Sequence, residues 1–166
     1  MEEIGDKSKL VYIDESGINQ AVSREYGYAL RGKKIFGKVR GKRTRKLNII
    51  AGLCGKELIE PLIYEGNMDT IFFNNYLEKM LLPNLEVGKV IVMDNASYHK
   101  SKKTQELIEE KGCQLIYLPP YSPDLNNIEH YWAILKKKVK KYYHLFNSLQ
   151  QTLNFIFNPL FSSSFN

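Results

Sequence analysis

Cysteine is scarce in this 166-residue chain: Cys54 and Cys113 are the only two, far apart in sequence. They lack the paired spacing of zinc sites or redox motifs, and fit a reducing compartment as small buried hydrophobes. The first residues, MEEIGDKSK, contain no apolar signal core, and no hydrophobic run approaches a membrane span. The expectation is therefore a soluble, cytoplasmic chain with no membrane partner. There is no internal repeat, no His/Cys cluster, no phosphate-cradling glycine loop and no nucleophile elbow. Zinc, P-loop and serine-hydrolase chemistries are thus left without candidates. A chain of this length buries a core as one domain without disulfides.

Acid is missing where base is densest. Segment 31–46, RGKKIFGKVRGKRTRK, holds nine Lys or Arg and no Asp or Glu. Residues 100–103 add three lysines and 136–141 add five, so seventeen of the 24 basic residues lie in three short segments. Solvated surface is the ordinary fate of such stretches. Uncompensated like charge on one loop, however, repels itself until phosphates neutralise it, which favours a polyanionic partner. Lys33, Lys34, Arg40, Lys42, Arg43 and Arg45 are the candidate phosphate contacts, with interspersed glycines suiting close backbone approach. So little apolar surface leaves the free segment little to hold it in place.

The remaining pattern is that of an α/β domain. LVYIDES (10–16) reads as a strand ending in acids, and YGYAL (26–30) as a second. KLNIIAGLCG (46–55) and ELIEPLIYEG (57–66) read as strands joined by a turn at Gly55-Lys56. Ile71, Phe72, Leu77, Met80 and Leu81 predict a helix over 69–82, closed by Pro83. KVIVMD (89–94) has the continuous apolar run of a strand buried on both faces. A helix from Ser101 to Gly112, a strand at 113–118 and a long helix at 125–143 follow. Strands first, then helix and strand in alternation, predict a mixed sheet with helices on both faces. The domain is expected to span 1–146, with 147–166 a fraying, aromatic and serine-rich tail resembling a truncated end.

Three acids stand where apolar residues are expected. Asp14 and Asp94 each follow an apolar strand, and sites in open α/β sheets form beyond the carboxyl ends of strands. Glu129 lies about 100° round the helix from Ile128, at the border of a stripe formed by Ile128, Trp132, Leu135 and Val139. Such a trio suits Mg²⁺, which takes hard oxygen ligands, and two such ions about 4 Å apart support phosphoryl transfer. Structural roles compete for each acid. Asp14 can end a strand at a turn, with Glu15 the relevant acid; Asp94-Asn95 fits an Asx turn; Asn126 and Glu129 fit a capping box. Asn95 and His99 follow Asp94 and are placed to orient its carboxylate from behind or to contact substrate, although His99 also suits capping or packing in a helix-entry turn. Lys136 and Lys140, seven and eleven positions beyond Glu129, share nearly its face. They fit a phosphate clamp or a solvated helix end.

Through "VYIDESG", "VIVMDNASYHKS" and "LPPYSPDLNNIEHYWAILKKKVK", the chain resembles the catalytic domain of mariner-type DDE transposases, especially the bacterial insertion-sequence branch. The resemblance covers residues 9–145, and the 34 residues between Asp94 and Glu129 match the spacing of that superfamily. It implies an RNase H-like fold, with Asp14, Asp94 and Glu129 as the catalytic and metal-binding triad. It further implies Mg²⁺ or Mn²⁺, two ions, cutting of double-stranded DNA at element ends, and joining of the 3′-OH to a target. A homodimer on DNA is implied, with segment 31–46 resembling a clasping loop. Full-length relatives carry amino-terminal helix-turn-helix modules, so recognition of element ends is expected of a separate chain or of a part missing from a fragment. Another RNase H-like nuclease and a catalytically silent DNA-binding remnant are the competing readings.

Overall fold

The computed structural model describes residues 7–19, 46–120 and 122–158. Its central strand is β1 (Leu10–Asn19), whose side chains alternate between two faces as the strand period requires. Val11 and Ile13 enter one core, and Ile18 enters another on the opposite side. β2 (Lys46–Cys54) pairs antiparallel with β1, and β3 (Glu57–Tyr64) pairs antiparallel with β2. Gly55 and Lys56 form the expected hairpin turn, with Gly55 at φ 62°, a conformation that glycine adopts without steric cost. β4 (Val90–Met93) and β5 (Gln114–Tyr117) extend the other edge in parallel, giving the order β3-β2-β1-β4-β5. This is the mixed sheet expected from the sequence, with β4 buried on both faces.

One face is covered by α1 (Thr70–Tyr76) and α2 (Lys102–Glu110). α1 starts where the Asp69 side chain accepts from the Phe72 amide at 2.7 Å, and continues through a π-type turn, Leu77–Leu81. Its buried side chains are Phe73, Tyr76, Leu77 and Leu81, whereas Ile71 is 74% exposed. Of the residues that marked this helix in the sequence, Leu77 and Leu81 are buried and Met80 packs against the same core. Tyr76 takes the core position with its hydroxyl donating to the Glu60 carbonyl at 2.9 Å. Gly52 of β2 lets this segment close on the sheet: a Cβ there would meet Leu81 Cδ1 at 3.0 Å and Val11 Cγ1 at 3.3 Å. α2 is capped by Ser101, whose Oγ accepts from the Thr104 amide at 3.0 Å, and Gly112 follows at φ 76°.

The opposite face carries α3 (Asn127–Tyr142), whose stripe of Ile128, Trp132, Leu135 and Val139 packs in one cluster with Ile18, Ile49, Ala51 and Leu53. α4 (Leu149–Phe157), capped by Ser148, buries Leu149, Thr152 and Leu153 beside it. α4 lies within segment 147–166, beyond the expected domain end at 146. Residues 149, 152 and 153 have helical spacing and bury one face, so ordered packing continues through α4. The expected strand at 26–30, and all of segment 31–46 except Lys46, lie outside the described residues. Among the described residues, no helix is long and apolar enough to cross a membrane.

Candidate active site

The parallel pairing of β1 and β4 brings the two aspartates together. Ile13 pairs with Met93, the last residue of β4, so Asp14 and Asp94 are the next residues at the point where the two strands part. Asp14 is not at the end of its own strand, as expected from the sequence. β1 runs on to Asn19 because β2 keeps pairing with it. Asp14 faces α3 and is only 9% exposed, and the Trp132 indole Nε1 donates to its Oδ2 at 3.2 Å. An indole N–H brought into a buried stripe needs an acceptor. That need was a signal in the sequence that the stripe ran past a polar group.

Asp94 lies in the loop after β4 and is half exposed. Its Oδ1 accepts from the Ala96 amide at 2.9 Å, which is the Asx turn the sequence allowed. The 3₁₀ turn Ser97–His99 then brings His99 back beneath it, with Nδ1 2.7 Å from the same oxygen. His99 is 1% exposed and packs against the rings of Phe73 and Tyr98, each with its centroid at 4.4 Å. It therefore both packs and contacts the carboxylate. Asn95 does not. Its side chain donates to the Leu118 carbonyl, tying the loop to the exit of β5, and Asn95 lines the cavity beside Asp94.

Glu129 sits in the first turn of α3 and is exposed. The capping box does not form: Asn126 makes no side-chain cap bond, and only its backbone carbonyl accepts from the Glu129 amide, at 3.0 Å. Asn126 instead is 6% exposed, with an Oδ1 that has no hydrogen-bond partner among the described residues. Sequence reasoning treated Asn126 as a cap and missed this. Asp14, Asp94, Glu129 and Asn126 line one cavity of about 300 Å³. Pro119, Pro120 and Pro123 form its wall, so the rigid entry to α3 shapes the site as well as delivering Glu129. Lys136 and Lys140 are exposed further along α3; Lys33, Lys34, Arg40, Lys42, Arg43 and Arg45 lie outside the described residues.

Charge at the site is strongly perturbed. Burial, with the negative charges of Glu129 and Asp94 adding to it, raises the Asp14 carboxyl to about 7, against the lowering effect of the Glu15 amide and the Trp132 N–H. Asp94 is held below its ordinary value, chiefly by the hydrogen bond from His99. Burial opposes charge on His99, yet its contacts with Asp94 and Glu15 prevail and raise it to about 9. No group of three or more His, Cys, Asp or Glu among the described residues is arranged to hold a metal ion as it stands. The donor set nevertheless fits a hard divalent cation in kind: three carboxylates, oxygen only, face one cavity and repel one another there. Each carboxylate offers about four acceptor positions, so the bonds from Trp132 and His99 do not exhaust Asp14 or Asp94.

The fold is similar to that of the Mos1 transposase. The chain matches the Mos1 strand transfer complex at a TM-score of 0.71, with 17% identity, covering 95% of this chain and 48% of that one. A Mos1 paired-end complex with Mn matches at 0.60, with 17% identity, covering 78% of this chain and 42% of that one. The domain is RNase H-like. Residues 9–154 match the model of the DDE superfamily endonuclease, and the chain belongs to that family. The transposable element Tc3 transposase of Caenorhabditis elegans is 28% identical over 160 residues, 87% of this chain and 47% of that protein. The chain thus spans about half the length of this curated relative.

Proposed function

We propose that this domain cuts DNA at the ends of a transposable element and joins the freed 3′-OH to a target, with Asp14, Asp94 and Glu129 as the catalytic, metal-binding residues. The observation that carries this is their shared cavity: acids from three distant segments, one of them pushed up to about 7, line a single pocket. Two divalent ions, Mg²⁺ or Mn²⁺, would supply an activated nucleophile and a stabilised leaving oxygen when bound. The Mn-containing Mos1 complex of the same fold supports this choice of cation. Asp14, Asp94 and Glu129 would hold the ions, while Trp132 and His99 fix the two aspartates through their N–H groups. Asn95 acts one step removed, by tethering the loop that carries Asp94 to Leu118.

The polyanion is double-stranded DNA, element end and target. Lys136 and Lys140 extend along α3 from Glu129, about 10 and 16 Å away at 1.5 Å per residue, and would meet phosphates next to the scissile one. The basic residues of 31–46 would engage further backbone or a second subunit of a DNA-bound homodimer. Recognition of particular end sequences belongs to a helix-turn-helix part beyond this catalytic domain, and the setting is a bacterial nucleoid.

The test is cleavage of DNA carrying element ends in Mg²⁺ or Mn²⁺, with a recognition part supplied. Wild-type protein is expected to cut only with metal, and Asp94→Ala to lose cutting while keeping its fold. Cleavage without metal, or undiminished in Asp94→Ala, contradicts the proposal. Binding without any cutting would mark a silent remnant, and cutting without strand transfer another RNase H-like nuclease.

A further inference from the structure

One partly buried acid beside the site has no part in the scheme above. Glu15 follows Asp14 on β1, so the strand period turns it to the other face, toward α1 and the turn that carries His99. Its side chain is 17% exposed. Oε2 accepts from the Tyr98 hydroxyl at 2.9 Å and from the Tyr64 hydroxyl at 3.5 Å. Oε1 has no hydrogen-bond partner among the described residues, and neither has His99 Nε2; the two stand 3.7 Å apart. On its other side, the His99 ring meets Asp94 through Nδ1 at 2.7 Å. One imidazole therefore lies between an acid of the site and an acid outside it.

The chemistry of this row is directional. Ionised carboxylates only accept hydrogen bonds, so Asp94 and Glu15 both call for N–H from the ring that separates them. A buried carboxylate and a buried ring nitrogen are each costly without a partner, and these two face one another. The hydroxyls of Tyr98 and Tyr64 hold Glu15 from behind, and Phe73 and Tyr98 flank the ring. A side chain clamped in this way transmits position.

We propose that Glu15 is a positioning residue of this site: anchored by Tyr64 and Tyr98, it holds the His99 imidazole so that Nδ1 fixes the Asp94 carboxylate in its cation-binding orientation. The proposal rests on the reading of Asp94 as a metal ligand given above. Residues that orient metal ligands through hydrogen bonds typically contribute about 10- to 100-fold in metal affinity.

Calorimetric titration of Mn²⁺ alone into the full chain tests this, on wild type, Asp94→Ala, Glu15→Leu, His99→Leu and the Glu15→Leu/His99→Leu pair, each first shown to be folded. Glu15→Leu should weaken Mn²⁺ binding at least about tenfold, and Glu15→Gln, which still hydrogen-bonds the ring, should restore it toward wild type. Once His99 is gone, removing Glu15 should cost nothing further, because Glu15 acts through it. Wild-type affinity in Glu15→Leu, or an equal loss with and without His99, overturns the proposal. Should Glu15→Leu not fold, Tyr98→Phe removes only an anchoring hydroxyl; a loss of about two- to tenfold that depends on His99 supports the proposal, and no loss overturns it. If wild type binds no Mn²⁺, or Asp94→Ala binds it equally well, the metal-ligand reading itself fails and this proposal falls with it. Binding that depends on Asp94 but shows no coupling of Glu15 to His99 sinks this proposal alone.

Discussion

Asp14→Asn should make the metal-free protein more stable at about pH 8 and leave it unchanged near pH 4. The carboxyl is 9% exposed and titrates at about 7, against 3.8 in an unconstrained chain, because burial and then the charges of Glu129 and Asp94 oppose its ionisation. Between those two values the native state holds a proton that the unfolded state has released. Stability contributed by that proton is complete below 3.8 and is lost as pH rises through about 7. At about 1.4 kcal/mol per pH unit, the interval gives a ceiling of about 4 kcal/mol, and local relaxation should bring the observed gain to about 2–4 kcal/mol. Asparagine keeps an oxygen for the Trp132 N–H, so the packing should persist. Urea denaturation in EDTA at several pH values measures the difference between wild type and variant. His99, raised to about 9, loses its own contribution between 6.5 and about 9 in both proteins, so the difference isolates Asp14. A variant less stable than wild type at pH 8, or a pH-independent difference, would refute this account of the site's electrostatics. Such a gain would fit the proposed role of Asp14, since acids kept for chemistry are commonly held at the expense of stability.

Replacing both Lys136 and Lys140 with glutamine should weaken binding to DNA of any sequence and reduce the salt slope by about two, which anisotropy titrations across salt concentrations would read. A shift in thermal stability alone would make them ordinary helix-end cations. Asn126→Ala should change stability by less than about 0.5 kcal/mol in urea, although losing a working N-cap costs about 1 kcal/mol, since Asn126 makes no side-chain cap bond. A full cap penalty would mean that its side chain holds the start of α3 after all.

What the sequence disclosed about the fold and site follows physical range. The α3 stripe is a local period, and Ile128, Trp132, Leu135 and Val139 are all buried as that period required. The apolar run 90–93 likewise announced a fully buried strand. The end of β1 was not legible, because Asp14 is carried past the tip of β4 by pairing with β2, a partner far away in sequence. The place of Tyr76 in the core was not legible, because its hydroxyl bonds to β3, a contact that no helical period reveals. Asp14 and Glu15 were interchangeable on paper. The pleat separates them, one toward Trp132 and the other toward His99, and only the placement of α3 tells which face holds the cavity.

The most direct measurement is the anomalous diffraction of Mn²⁺ in crystals of the full chain. A manganese peak with carboxylate oxygens of Asp14, Asp94 and Glu129 all at about 2.1–2.2 Å is the predicted result, close to the distances of divalent oxygen sites. Manganese bound elsewhere, or held by the aspartates while Glu129 points out of the cavity, would contradict the assignment of the three acids as one metal-binding triad.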